Sequence, residues 1–213
     1  MGRAVRLSRD WMARVPALCV AAFVLLYAVA AWLYPGGTRA EPDRVGFSFL
    51  DNYWCDLLDE VTYGGRQNPA RPVALVATLI LSGGLATLWW SVPASCPDAP
   101  RRAAVARVSG LGSAGVVPFI ASSHHDVAID VAGLLGALAF VAAMSALGDR
   151  AGRMLRAVAS LALALSVTNY VLWRTRVGLP ILPIVQKGAF MAFLGWIVTL
   201  ALRADPGAGK SHP

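Results

Sequence analysis

Hydrophobic and polar positions are sorted into long blocks along this chain. Apolar runs fall at 15–34, 73–92, 103–122, 127–147, 155–173 and 180–202, with short polar stretches between them. Each run holds roughly 17 to 23 mainly apolar residues, enough for a helix to cross about 30 Å of hydrocarbon. The pattern predicts an all-α, polytopic membrane protein with six transmembrane helices, forming one membrane domain over 1–213. The longest polar interval, 35–72, carries a second pattern. Between Gly46 and Tyr63, the residues Leu50, Tyr53, Trp54, Leu57, Leu58 and Val61 fall on one helical face. Asp51, Asn52, Asp56, Asp59 and Glu60 fall on the other. That 3.6-residue period predicts an amphipathic helix. It is too polar to span, and its acidic face is the reverse of what binds lipid headgroups, so it is expected to cap the bundle at the outer face.

Glycine and proline punctuate the runs. Pro35-Gly36-Gly37 stops the first. Ser82-Gly83-Gly84 at the middle of the second, and Gly110, Gly112 and Gly115 in the third, predict close helix approach. Pro118 predicts a kink near the end of the third. The first run follows Arg3, Arg6, Arg9 and Arg14, as in a signal peptide, and Ala28-Val29-Ala30 has the form of a cleavage site. The run is longer than a usual signal core, however, and it ends in Trp32 and Tyr34, which suit an interfacial belt. The expectation is an uncleaved first span.

Composition agrees with the pattern. The hydrophobic fraction is 57% and the mean hydropathy +0.58, more apolar than a soluble domain of this size allows. The formal charge of +7 would suggest nucleic acid in a soluble protein, but here the arginines sit in short loops, where they set topology. No nucleic-acid partner is expected; the partners predicted are the bilayer and a lipid or small-molecule ligand. With six spans, one side carries Arg3, Arg6, Arg9, Arg14, Arg101, Arg102, Arg107, Arg150, Arg153, Arg156, Arg203 and Lys210 against four acids. The other side holds the remaining seven basic and eight acidic residues. The positive-inside rule then predicts a plasma-membrane protein with both termini in the cytoplasm. Cys19, Cys55 and Cys96 are scattered, without the spacing of a metal or redox motif.

The candidate chemistry gathers at the predicted outer face. Ser122-Ser123-His124-His125-Asp126-Val127-Ala128-Ile129-Asp130 places two histidines and two carboxylates where the third run gives way to the fourth. By the helical rise, Asp130 lies roughly 10 Å into the fourth span and Lys187 at a similar depth in the sixth. Asn169 and Tyr170 sit about a turn inside the outer end of the fifth. Ionisable groups at membrane depth are functional candidates because burying them is costly. Asp56, His124, His125, Asp126, Asp130, Asn169 and Lys187 are therefore the candidate ligand-binding residues. Other readings fit some of them. Ser123 can be the N-cap of the fourth helix with Asp126 in its first turn. His124 and His125 can be wetted turn residues, and Lys187 can snorkel to the surface or pair with Asp130.

A metal site would draw on His124, His125, Asp126, Asp130 and Asp56. Adjacent histidines on a helix point about 100° apart and rarely share one ion. No metal ligand set is assigned and no cofactor is implied. The chain has no GxSxG, HExxH or phosphate-binding glycine loop.

Three segments together carry a family resemblance: Gly46-Phe47-Ser48-Phe49-Leu50-Asp51-Asn52-Tyr53-Trp54-Cys55-Asp56-Leu57, the histidine turn before the fourth span, and Gln186-Lys187-Gly188. Their order resembles bacterial six-span integral membrane proteins of unknown function, distantly similar to the DRAM/Sfk-type family. Members of that group often show Ser-Asp-Leu-Gly where this chain has Cys55-Asp56-Leu57-Leu58, so Asp56 is the shared position. The resemblance implies six membrane helices and supplies no reaction. A second similarity, to alkaline ceramidase-like hydrolases, rests on the acidic Trp-Cys-Asp segment and the His/Asp cluster. Those proteins usually have seven helices and a late His-x-x-x-His pair that this chain lacks. The expectation is an outward-facing pocket for a lipid or small polar ligand. The alternatives are a metal-dependent lipid hydrolase and a proton-coupled transporter using Asp130 and Lys187.

Overall fold

The computed structural model describes residues 2–203, with side chains from Arg14 to Leu202 except that of Arg150. Arg3, Arg6, Arg9, Arg150, Arg203, Asp205, Lys210 and His212 lie outside the described residues or side chains. The fold is all-helical, and six helices are long and apolar enough to cross a membrane. They are α1 (Gly2–Leu33), α2 (Arg71–Ser95), α3 (Pro100–Val116), α4 (His125–Leu147), α5 (Gly152–Thr175) and α6 (Leu182–Arg203). The predicted spans match the stretches of these helices that are apolar enough to cross, Arg14–Leu33, Arg71–Ser95, Pro100–Ala121, His125–Leu147, Gly152–Thr175 and Leu182–Leu202, to within about one turn, while α1 itself begins well before its span. At Pro118 the third span changes helix type. The α-helix stops at Val116 and tightens into a 3-10 turn, Val117–Ala121. Proline removes an amide donor, which a new short helix tolerates in its first turn.

The helices pack in chain order from α1 to α4, while α6 returns to α1 and α5 lies against α6. α4 and α5, although consecutive, scarcely touch. Between lipid-facing helices packing depends on close approach, because lipid supplies no hydrophobic drive. Two glycines provide it. A Cβ on Gly84 would lie 2.5 Å from the Cys19 side chain, and one on Gly110 would lie 2.3 Å from the Trp89 ring. The centre is filled by rings, with Phe140 and Trp196 at 4.5 Å and Trp89 and Trp196 at 6.0 Å. Leu25, Leu79, Leu134 and Leu161 point outward, as a hydrocarbon environment requires.

The two ends of the bundle differ. One end has the short turns 96–99 and 148–151. The other, here the loop end, carries 34–70, 122–124 and 176–181. The amphipathic helix predicted over 46–63 does not form. That stretch is a series of bends with one 3-10 turn, Cys55–Leu58. The predicted faces hold only in part: Tyr53, Leu57 and Leu58 are buried and Asp51, Asp59 and Glu60 exposed, but Leu50 and Val61 are exposed and Asn52 and Asp56 are 0% and 3% exposed. The reason is competition for the backbone. Ser48, Asn52 and Asp56 hydrogen-bond nearby main-chain groups, which diverts them from a helical ladder. The expectation that the stretch packs over the bundle holds. Trp54 inserts between α1 and α6, 5.1 Å from Phe190 and 5.6 Å from Tyr27.

Candidate functional site

Two polar neighbourhoods are built at the loop end. The first is closed and centred on Asn52. Its Oδ1 accepts from the Ser48 amide at 2.9 Å, and its Nδ2 donates to Gly37 O and to Asp56 Oδ2, both at 2.8 Å. The same Asp56 oxygen accepts from the Tyr53 amide at 2.9 Å. The Asn52 carbonyl accepts from Lys187 Nζ, which also donates to Pro183 O at 3.2 Å. The ammonium lies 5.8 Å from the Phe47 ring centre and 5.2 Å from that of Phe49. Gln186, one residue earlier on α6, accepts from the Trp54 amide at 3.0 Å. α6 therefore grips the loop through two consecutive side chains.

Charge in this knot is costly to bury. Burial pushes the Asp56 carboxyl up to about 6 from its usual 3.8, although the bonds from Asn52 and Tyr53 and the Lys187 charge oppose the rise. Burial likewise pushes the Cys55 thiol up to about 12. Asn52, Asp56 and Lys187 are buried and hydrogen-bonded, which suits a structural anchor. A neighbouring clamp completes it. Asn68 Nδ2 donates to the carbonyls of Asp56 and Asp59, at 3.1 and 2.9 Å, and its Oδ1 accepts from the Ala70 amide at the start of α2.

The second neighbourhood is open. A cleft of about 270 Å³ lies between the loop, the start of α2 and the α3–α4 turn. Leu58, Asp59, Glu60, Arg71, Ile120, Ala121, Ser122, Ser123 and His125 line it. Arg71 forms its back wall. Nε donates to Leu58 O at 2.9 Å, one terminal nitrogen pairs with Glu60 at 3.0 Å, and the other donates to Ala121 O at 3.3 Å. Three of its five N–H donors are thus engaged. His125 Nδ1 bonds the Ile120 carbonyl. A carbonyl only accepts, so Nδ1 carries the proton and Nε2 is the basic nitrogen of the neutral ring. Asp59 is exposed overall, yet burial by its neighbours raises its carboxyl above the usual range; His125 and Arg71 pull it back.

The predicted site residues separate. His125 lines the cleft. His124 is exposed, with Ser123 Oγ 3.2 Å from its Nδ1. Asp126 is exposed in the first turn of α4. Ser123 does not cap that helix; the His124 amide instead donates to Ser122 Oγ at 3.2 Å. Asp130 does not meet Lys187. It faces Arg174 of α5 at 3.8 Å, while Lys187 is drawn under the loop by Asn52 and Pro183. Asp56 and Lys187 share the closed knot. Asn169 is half-buried on α5, and its Oδ1 has no hydrogen-bond partner. Among the described residues, no three His, Cys, Asp or Glu side chains come together as a metal ligand set, so the mixed set proposed from sequence is not assembled.

Sequence reasoning missed Asn52, Asn68, Asp59, Glu60 and Arg71 as site residues. One signal was available. A cation at a helix N-terminus opposes the helix dipole, so Arg71 immediately before Pro72 called for a partner. No family model, curated protein or solved structure matches this chain.

Proposed function

We propose that the protein is a multi-pass membrane binding module whose loop-end cleft takes a small polar group carrying both charges, such as a zwitterionic lipid headgroup. The observation behind this reading is the cleft itself. It offers carboxylates from Asp59 and Glu60, the Arg71 guanidinium, the free ring nitrogen of His125, and the hydroxyls of Ser122 and Ser123, in one opening at the helix ends. Its volume, about 270 Å³, lies below the roughly 300–1,000 Å³ of drug-sized pockets, so it suits a headgroup better than a whole lipid. An amine would sit toward the carboxylates and a phosphate toward Arg71 and the hydroxyls. By the positive-inside rule the loop end faces outward and both termini are cytoplasmic. Transport is disfavoured, because the bundle centre beneath the loop end is filled by Trp89, Phe140 and Trp196.

Phosphoethanolamine is the first probe. Phosphorus resonance broadening with purified protein in nanodiscs should show binding in the millimolar range, as expected for so small a ligand. Asp59→Asn should weaken it roughly tenfold, the loss of one charge-assisted contact. Ethanolamine and inorganic phosphate, added as competitors, should each relieve the broadening only at higher concentration than further phosphoethanolamine does. Equal broadening in parent and variant would overturn the assignment.

A further inference from the structure

A separate surface on the loop carries its own message. Phe49 and Leu50 are 62% and 59% exposed, side by side at the tip of one turn. Two large apolar side chains in that position would ordinarily be covered. The turn is not slack. Ser48 Oγ donates to Asp51 Oδ2 at 2.5 Å, Ser48 N donates to Asn52 Oδ1 at 2.9 Å, and Arg44 pairs with Asp51 at 3.0 Å. The apolar pair is presented by a braced scaffold.

Its depth says what covers it. The Phe49 ring lies 5.2 Å from Lys187 Nζ, which reaches back along α6 to the Pro183 carbonyl, one residue inside the loop-end limit of the span Leu182–Leu202. The neighbouring Phe47 ring packs on Tyr34 at 5.8 Å, directly after the last residue of α1. The turn therefore lies beside the ends of two spans, at the level where aromatic side chains favour the membrane interface. Trp32, 83% exposed at the end of α1, stands at the same border. Charged residues of the loop, Glu41, Arg44 and Asp51, pair with one another beside this tip and satisfy their charges without a partner molecule.

We infer that the Phe49–Leu50 turn is a wedge seated in the lipid leaflet at the loop end, continuing the lipid-facing surface of the helices. Its occupant is bilayer lipid. The wedge ties the loop to the membrane from one side while Asn52 and Lys187 tie it to the bundle from the other. It stands whether or not the cleft binds a headgroup.

Photocrosslinking on the full chain in nanodiscs tests this. p-Benzoylphenylalanine would replace Phe49, Leu50, Asp43 or Leu25 in turn, and adducts would be identified by mass spectrometry. Leu25, 68% exposed within the α1 span, reports lipid contact in a correctly inserted protein, and Asp43 reports exposed loop. Lipid adducts at 49 and 50 should approach the Leu25 yield and exceed the Asp43 yield about tenfold. Yields at 49 and 50 no higher than at 43 would overturn the inference. So would adducts mainly to a second protein chain, which would make the tip a protein interface.

Discussion

The two polar neighbourhoods of the loop end use similar residues to opposite ends. In the Asn52 knot the amide side chain uses its acceptor oxygen and both of its hydrogens, and the Lys187 ammonium is shut away under two rings. In the Arg71 cleft, carboxylates, hydroxyls and a histidine nitrogen border open volume. A buried polar group is expensive unless bonded, so a finished network fixes one conformation and leaves nothing for a ligand. Groups beside a cleft can satisfy themselves with water until something better arrives. The difference separates anchoring from binding more reliably than the identity of the residues does, since both neighbourhoods contain an aspartate and a cation.

That contrast can be broken most directly at Asn52. Asn52→Ala removes the side-chain partner of the Ser48 amide, takes one of two donors from the Gly37 carbonyl, which keeps the Tyr34 hydroxyl, and takes one donor from Asp56, which keeps the Tyr53 amide. The expected cost is roughly 3 to 5 kcal/mol, from one unpaired buried amide, two weakened acceptors and the volume vacated by a fully buried side chain. Limited proteolysis between 46 and 63 should become much faster in the variant. Unchanged cleavage would show that the knot does not hold the loop.

Acidity gives the next largest effect. Because the folded protein raises the Asp56 carboxyl to about 6 from 3.8, it binds that proton more tightly than the unfolded chain. The contribution is fully present below about pH 4 and is lost as pH rises through about 6, amounting to roughly 3 kcal/mol at most. Hydrogen exchange of the amides near 52–58, corrected for intrinsic rate, should therefore slow between pH 7 and pH 5. Asp56→Asn keeps both bonds through its Oδ1 and should flatten this dependence. A pH profile that survives the substitution would move the cause elsewhere.

The smallest change in stability should come from the cleft. Asp59→Asn alters an exposed residue with no side-chain bond to the scaffold, so thermal unfolding in detergent should shift by less than about 1 kcal/mol. The same variant is the one expected to lose phosphoethanolamine binding. A destabilisation as large as that of Asn52→Ala would erase the distinction between the two neighbourhoods.

Part of the site was legible in the chain. His125 and Asp130 stood out because ionisable residues bordering apolar runs are rare; His125 lines the cleft, whereas Asp130 lies outside both neighbourhoods, against Arg174. Their partners were not legible. Lys187 and Arg174 are both cations near that end, and depth alone favoured Lys187 for Asp130. The choice went to Arg174 because Lys187 is captured by the Asn52 carbonyl, 135 positions away in sequence. The loop misled for a related reason. Its apolar spacing matches a helix, and Asn52 and Asp56 read as a solvated face. They are in fact the most buried polar residues of the segment, bonded to their own backbone.

What the sequence determined alone was the set of helices. Hydropathy and length are local properties, and a run of about 20 apolar residues has to satisfy its backbone internally in lipid, so each span is fixed before any contact forms. The tertiary structure decided which polar group meets which. A hydrogen bond is directional and lasts over a few ångströms, so the pairing of Asn52 with Lys187, or of Arg71 with Ala121, depends on how α6, α2 and the α3–α4 turn are brought beside the loop. Chain order does not encode that distance; packing does.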